Sequence, residues 1–257
     1  MKVAVVIAAY DEAGNIGSLT DRLVQTLDSL PYASWKLIYV IEGTDGTVEI
    51  ARRYARQRTE IEVFYGEQPS GLGRAFRRGF DAVPADTDFV VTMDADLNHQ
   101  PEEIPRLLTC LRENNADIVV GSRRIEESSE HGTPAWKRAI SQLGNRCIHL
   151  FMGLRVADLT SGFRIYRTQA LRQIAFQSPG FAFLPEILII GASHGLKIVE
   201  APICFVFRTS GESKLRIGQT GIGYLRLFYS YFRWKLHRPA ARELGSARES
   251  LKPSVRE

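Results

Sequence analysis

The chain is poor in the residues that build unusual scaffolds. Of 257 residues only three are cysteine, Cys110, Cys147 and Cys204, scattered and each in a largely apolar context. No disulfide framework or zinc spacing can be made from them, which fits a reducing compartment and leaves all three expected as buried small hydrophobes. No uncharged apolar run reaches the roughly 18 residues a spanning helix needs. The opening residues lack a charged-then-apolar secretory pattern. Gly71-Leu72-Gly73 is not followed by Gly-Lys-Ser/Thr, which argues against a phosphate-cradling NTPase loop. No internal repeat occurs, and no linker marks a boundary before residue 215. A dominant charge is also missing: 33 Lys and Arg face 29 Asp and Glu, for a net charge of +4. The excess is local, because ten of those basic residues and only three acids lie from Lys214 onward.

What remains is an ordinary globular composition, 44% hydrophobic and 24% charged. Val3 to Ala9 is continuously apolar, as a strand covered on both faces requires. A helix follows, with Ile16, Leu19, Leu23 and Leu27 at helical spacing. Leu37 to Ile41 is a second strand, closed by Glu42-Gly43-Thr44-Asp45-Gly46-Thr47, a turn with a ready helix cap. A helix to about Arg58, a strand over Ile61–Tyr65 and a helix from Gly71 to about Asp81 lead to a fourth strand, Phe89–Met93. This alternation predicts an α/β domain with a mainly parallel central sheet flanked by helices. Pro101 and Glu102 open the next helix, and Asp117–Val120 is a fifth strand ending in Gly121-Ser122-Arg123. Ile125–Thr133 is polar and acidic and reads as a mobile loop. A helix over about Trp136–Met152, a strand at Ile165-Tyr166, a helix over Leu184–Ala192 and a strand over Ile198–Phe207 complete the reading.

The fourth strand ends in Asp94-Ala95-Asp96. Alternate strand residues point to one side, so the two carboxylates leave the sheet together. Ligands bind at that edge of an open α/β sheet. Two like charges side by side call for a cation, and hard oxygen ligands suit Mg²⁺ or Mn²⁺ completed by a substrate phosphate. The same edge collects Glu12 and Glu42 from earlier strands and Arg123 from the next one. Acids for ribose or base, a metal pair and a cation are the set expected for a nucleotide diphosphate with its metal. The glycines at 71 and 73 allow close backbone approach to a ligand, or simply a tight turn. Asp158 is expected to cap the Thr160-Ser161-Gly162 turn, Glu186 to sit at a helix start, and His99 to support the site.

In order along residues 2 to 214, several motifs carry a resemblance. They are Ala9-Tyr10-Asp11-Glu12, Thr44-Asp45-Gly46-Thr47, Gly71-Leu72-Gly73 and Asp94-Ala95-Asp96-Leu97-Asn98-His99 with Pro101-Glu102. Gly121-Ser122-Arg123, Asp158-Leu159-Thr160-Ser161-Gly162-Phe163-Arg164 and Arg208-Thr209-Ser210-Gly211-Glu212-Ser213-Lys214 follow. The chain resembles the inverting glycosyltransferases of the GT-A fold, and among them the polyprenol-phosphate (dolichol-phosphate) mannosyltransferases. The resemblance implies that Ala9, Tyr10, Glu12 and Glu42 border the donor nucleotide. It implies that Asp94, Asp96 and Asn98 hold the metal on the donor diphosphate. Arg123, with Arg138 and Ser141, would meet the acceptor phosphate, and Arg208 and Lys214 would neutralise phosphates. Asp96, Arg123 and Arg208 would carry the catalysis. A nucleotide-diphosphate sugar, a hexose with mannose favoured, and a polyprenyl phosphate are the implied substrates; nucleic acid is not an expected partner. A phosphate monoester is largely ionised at neutral pH, so such an acceptor needs no strong general base. The alternatives are transfer to a lipid or saccharide hydroxyl, which needs a base, and a non-catalytic nucleotide-sugar binding module.

The expected organisation is a catalytic domain over 1–214, an appendage over 215–237 and a disordered tail over 238–257. The appendage is aromatic and apolar, with Arg226 and Arg233 on a narrow stripe, and suits a helix lying at a membrane surface. A peripheral enzyme at the cytoplasmic membrane face follows, with a separate membrane-anchoring subunit as a further expected partner.

Overall fold

A computed structural model describes residues 1–31, 34–132, 146 and 156–207. These residues all fall in one compact unit, Met1–Leu215. The expected helix over 136–152, the 208–214 loop, the appendage and the tail lie outside the described residues.

β1 (Lys2–Tyr10), α1 (Ala13–Asp28), β2 (Ser34–Glu42), α2 (Thr47–Gln57), β3 (Ile61–Gly66), α3 (Leu72–Asp81) and β4 (Phe89–Asp94) alternate as the apolar periodicities predict. A 3₁₀ turn at Pro101–Glu103 leads into α4 (Ile104–Glu113) and β5 (Ile118–Ser122). β6 (Ser129–His131), β7 (Arg164–Arg167), a short helix Thr168–Leu171, a helix Phe183–Ser193, β8 (Ile198–Pro202) and β9 (Cys204–Val206) follow. The central sheet has the order β3-β2-β1-β4-β7-β5-β8, and β6 and β9 form a small second sheet. β1 pairs in parallel with β2 and β4, and β2 with β3. β7 is the exception, antiparallel to both β4 and β5.

The continuous apolar run of β1 has its reason in two covered faces. Val3, Val5, Ile7 and Ala9 point into a core with Ile16, Leu19, Leu23 and Leu27 of α1 and Ile104, Leu107, Leu108 and Leu111 of α4. Each of the Val, Ile and Leu side chains contributes roughly 1.5–3 kcal/mol on leaving water. The alternate residues face α3. A Cβ on Gly79 would lie 2.3 Å from Val6 Cγ1 and 3.3 Å from Val40 Cγ2, so this helix approaches the sheet through a glycine.

Three expectations change. The polar stretch Ile125–Thr133 contains β6, which pairs in parallel with β9. Its hydrogen-bonding partners lie far along the chain and leave no local signal. Ile198–Phe207 is two strands rather than one, because the chain changes partner: β8 pairs with β5, the Ile203 carbonyl accepts from Ser129 N at 3.1 Å, and the residues beyond pair with β6 as β9. Cys110 and Cys204 are free but half-buried rather than buried. Cys147 lies outside the described residues.

Candidate active site

The ends of β1, β2 and β4 lie on one edge because the three strands run parallel in register: Tyr10 stands opposite Glu42, and Ala8 opposite Asp94. The acids on this edge divide into two groups.

On the β1–β2 side the carboxylates are engaged by the chain's own donors. Asp11, at φ 50°, accepts from the Thr44 N–H at 3.1 Å. Gly43 makes room for it: at φ +102°, a Cβ there would lie 2.1 Å from Asp11 Oδ1. Asp45 accepts from Ala13 N (2.9 Å) and Thr47 N (3.0 Å), so one carboxylate satisfies donors at the starts of α1 and α2. Thr47 Oγ1 in turn accepts from Glu12 N at 2.8 Å. Glu12 is buried, and Asn15 Nδ2 donates to its carboxylate at 2.7 Å. Glu42 accepts from Ser70 N at 2.9 Å and from the Ser70 hydroxyl. Ala9 packs its side chain into the core, leaving backbone as what it offers the edge. Tyr10 is an exposed aromatic at the strand end.

The Gly71 and Gly73 turn has a neighbour of its own. A Cβ on Gly71 would lie 2.5 Å from the Pro179 carbonyl oxygen, and one on Gly73 would lie 2.1 Å from that of Ser178. Pro179 O accepts from the Gly73 and Arg74 N–H groups. The close approach in this structure is to protein backbone. Glu186 holds the facing loop, accepting from Gln177 N and Ser178 N, both at 2.8 Å.

On the β4–β5 side, charges face charges. Asp94 closes β4 with its side chain 39% exposed, one face open and the rest enclosed by the edge. Burial pushes its carboxyl above the ordinary value, the nearby Glu12 adds to the rise, and Arg123 and Arg164 oppose it. Asp96 follows in the turn. Asn98 clamps it, its Nδ2 donating to Oδ2 at 2.6 Å and its N–H to Oδ1 at 3.2 Å. No group of three His, Cys, Asp or Glu gathers as a ligand set among the described residues. His99 is 1% exposed, and burial holds its ring well below the usual histidine range, at about 4.

Arg123 leaves the end of β5 and binds Asp158 through two bonds, Nε–Oδ2 at 2.7 Å and Nη2–Oδ1 at 2.8 Å. Its backbone N–H also donates to Asp158, at 3.0 Å, and Nη2 reaches Thr160 Oγ1 at 3.1 Å. The guanidinium lies over the Phe205 ring, 4.9 Å from its centroid. Burial alone would raise the Asp158 carboxyl, but Arg123 overrides it and holds the group at about 2. Capping the 160–162 turn is therefore only the lesser part of Asp158's role: Thr160 Oγ1 donates to it at 3.2 Å. Glu200 on β8 fixes the same segment, accepting from Ala157 N (2.8 Å) and Asp158 N (3.0 Å).

The segment from Asp158 to Phe163 is stitched to both neighbouring strands. Thr92 Oγ1 donates to the Gly162 carbonyl, and Gly121 N to that of Phe163, both at 2.8 Å. Arg164 then buries completely, giving Nε to Ser161 O (2.8 Å), Nη1 to Leu184 O (2.6 Å) and Nη2 to Leu159 O (2.8 Å). Residue patterns alone do not reveal these roles. A single acid within apolar β8 is the signal for Glu200, and the Arg closing an otherwise small and apolar motif is the signal for Arg164.

With this geometry in place, comparison with known proteins is informative. The family model described as glycosyl transferase family 2 matches residues 4–175. The chain belongs to glycosyl transferase family 2. Among the relatives of this family-2 glycosyltransferase is the undecaprenyl-phosphate mannosyltransferase of Micrococcus luteus, 36% identical over 86% of this chain and 90% of that protein. The dolichol-phosphate mannosyltransferase of Pyrococcus furiosus is 33% identical over 91% of this chain and 65% of its own length. Among solved structures, mannosyl-3-phosphoglycerate synthase from Rubrobacter xylanophilus superposes with a TM-score of 0.69 at 17% identity, over 94% of this chain and 78% of that one. Glucosyl-3-phosphoglycerate synthase from Mycobacterium tuberculosis, solved with Mn²⁺, UDP and phosphoglyceric acid, gives 0.67 at 20% identity, over 93% and 80%. The fold is GT-A, as the resemblance implied. Of the expected site residues, the family-2 enzyme brings Glu12, Asp94, Asp96, Asn98 and Arg123 to one edge. Glu42 ends the adjacent strand there, on Ser70. Arg138, Ser141, Arg208 and Lys214 lie outside the described residues.

Proposed function

We propose that this glycosyltransferase moves a mannosyl residue from a nucleotide-diphosphate sugar to a polyprenyl phosphate, with inversion at the sugar carbon. The observation that carries the reading is the placement of Asp94 and Arg123 at the ends of β4 and β5, on one edge of the sheet. They are close enough for each to shift the other's ionisation, so an acid that suits a cation and a cation that suits an anion share one edge. The names of the polyprenol-phosphate relatives support the choice of sugar and acceptor.

The donor set fits a hard divalent ion, Mg²⁺ or Mn²⁺. Asp94 and Asp96 supply carboxylate oxygens and Asn98 an amide oxygen, with the Asn98 Nδ2 donating to Asp96. Asp94 is held above its ordinary pKa by burial, as suits a carboxylate that gains from a nearby cation. When bound, such an ion neutralises charge on the departing nucleoside diphosphate. The chain's own residues do the rest. Glu12, Tyr10 and the backbone at Ala9 border the nucleotide, while Glu42 shapes that wall through Ser70. Arg123 draws the acceptor phosphate, its Nη1 being the guanidinium donor not committed to Asp158. Arg138 and Ser141 join it, and Arg208 and Lys214 neutralise the donor phosphates. The acceptor arrives ionised, so no general base is assigned. Transfer to a hydroxyl would need one, and the two candidate acids, Asp158 and Glu186, are held by Arg123 and by two backbone N–H groups. The basic aromatic segment within 215–237 brings the enzyme to the cytoplasmic membrane face, alone or with an anchoring subunit.

The test is turnover by the full chain with Mg²⁺ or Mn²⁺, undecaprenyl phosphate and a panel of nucleotide sugars led by GDP-mannose. A polyprenyl-linked sugar of inverted configuration is expected, and chelation should abolish its formation. Failure of every donor to give a polyprenyl-linked product would sink the reading. Product formation that persists in EDTA would remove the metal from it.

A further inference from the structure

The turn after Asp96 brings the chain back on itself. Leu97 takes φ 61°, a left-handed conformation that a branched aliphatic residue rarely adopts. His99, two residues further on, lies beside Asp94. The position is anchored twice: His99 bridges Phe205, and the Val206 N–H donates to the Asn98 carbonyl at 3.0 Å.

The imidazole is 1% exposed and boxed by two rings, Phe163 at 5.4 Å and Phe205 edge-on at 5.3 Å. Neither ring nitrogen has a hydrogen-bond partner among the described residues. A polar group buried in that state is destabilising and calls for an explanation. One carboxylate stands close to it: Nδ1 lies 3.5 Å from Asp94 Oδ2, roughly half an ångström beyond the usual N–H···O distance. On the other side of the same carboxylate stands Gly162, where a Cβ would lie 2.7 Å from Oδ1. Asp94 is therefore bracketed, with backbone that tolerates no side chain against one oxygen and a fixed ring nitrogen against the other.

We infer that His99 is a positioning residue for Asp94, its Nδ1–H holding Oδ2 so that the carboxylate keeps one orientation toward a bound cation. The inference rests on the reading of Asp94 as a metal ligand. It assigns the ring one tautomer, protonated at Nδ1, with Nε2 as the bare nitrogen. Second-sphere donors of this kind change metal affinity by about 10–100-fold. Leu97, at φ 61°, lies in the turn that joins Asp94 to this ring.

The experiment is Mn²⁺ titration of the full chain, followed by the free-ion EPR signal, for wild type, Asp94→Asn, His99→Phe, His99→Gln and His99→Asn. Asp94→Asn should lose the ion. His99→Phe and His99→Gln should bind about 10–100-fold more weakly. His99→Asn should recover most of the affinity, because its amide nitrogen overlies Nδ1, whereas that of Gln overlies Nε2. In the wild type, ¹⁵N–¹H correlation of the ring should show the proton on Nδ1. If Asp94→Asn binds as tightly as wild type, the metal reading falls and the inference with it. If Asp94→Asn loses the ion while His99→Phe keeps it, or if Asn rescues no better than Gln, the positioning role alone falls. Should the variants not fold, a ring protonated at Nε2 in the wild type overturns it by itself.

Discussion

The two halves of the strand-end edge carry similar acids and use them differently. Around β1 and β2, Asp11, Asp45 and Glu42 accept from backbone N–H groups of Thr44, Ala13, Thr47 and Ser70. Around β4 and β5, Asp94 faces an imidazole and a distant arginine, and Asp158 pairs with a guanidinium. The first half spends its carboxylates on closing turns and starting helices. The second half keeps charge set against charge. Acid content alone therefore does not mark a site; what the acids face does.

Substitutions on the two sides sharpen that contrast. The largest effect is expected at Asp158. Asn there leaves the Arg123 charge buried without its partner, and urea unfolding should register a loss of roughly 3–5 kcal/mol. A loss below about 1 kcal/mol, the range of an exposed pair, would place this ion pair with the scaffold of the other half. Next is Asp96→Asn, which should lower turnover about 10²–10³-fold at unchanged thermal stability, the scale of removing one charge-stabilising group. Turnover within a few-fold of wild type would show that the β4 side is scaffold too.

Acidification should act in the same region. The folded-state pKa of Asp158 is about 2, below its ordinary 3.8, so the folded protein holds the ionised form more strongly. Its contribution is fully present above pH 4 and is lost as pH falls through 2, amounting to roughly 2 kcal/mol. Denaturation midpoints measured between pH 5 and 2 should fall in wild type and flatten in Asp158→Asn. The smallest effect is expected on the scaffold side. Asp45→Ala removes donors' partners at two helix starts and should cost about 1 kcal/mol of stability while leaving kcat near wild type. A collapse of kcat without loss of stability would erase the division between the halves.

Much of the architecture is legible in the residues. The apolar run of β1 and the 3-4-4 spacing of α1 identify their elements because burial imposes those periods directly. Asp94-Ala95-Asp96 announces itself because a strand ends where the acids begin. What resists reading is pairing at a distance. Nothing local to Arg123 points to Asp158, and a free arginine aimed at phosphate is the natural expectation until the two are seen together. The glycines at 71 and 73 are hard to read for the same reason, since their tight neighbour, Pro179, comes from a remote loop. β6 escapes because three polar residues become a strand only when β9 is alongside.

β7 has a geometric consequence. By running backwards between β4 and β5, it keeps the two strand ends two sheet spacings apart, about 10 Å. It is a ruler: one end of the measure bears Asp94, the other Arg123. The same strand begins at that edge, so the segment leading into it must cross the gap it sets. Length along the strands can vary without altering that width, because hydrogen bonding across the sheet, not side-chain choice, fixes the unit of measure.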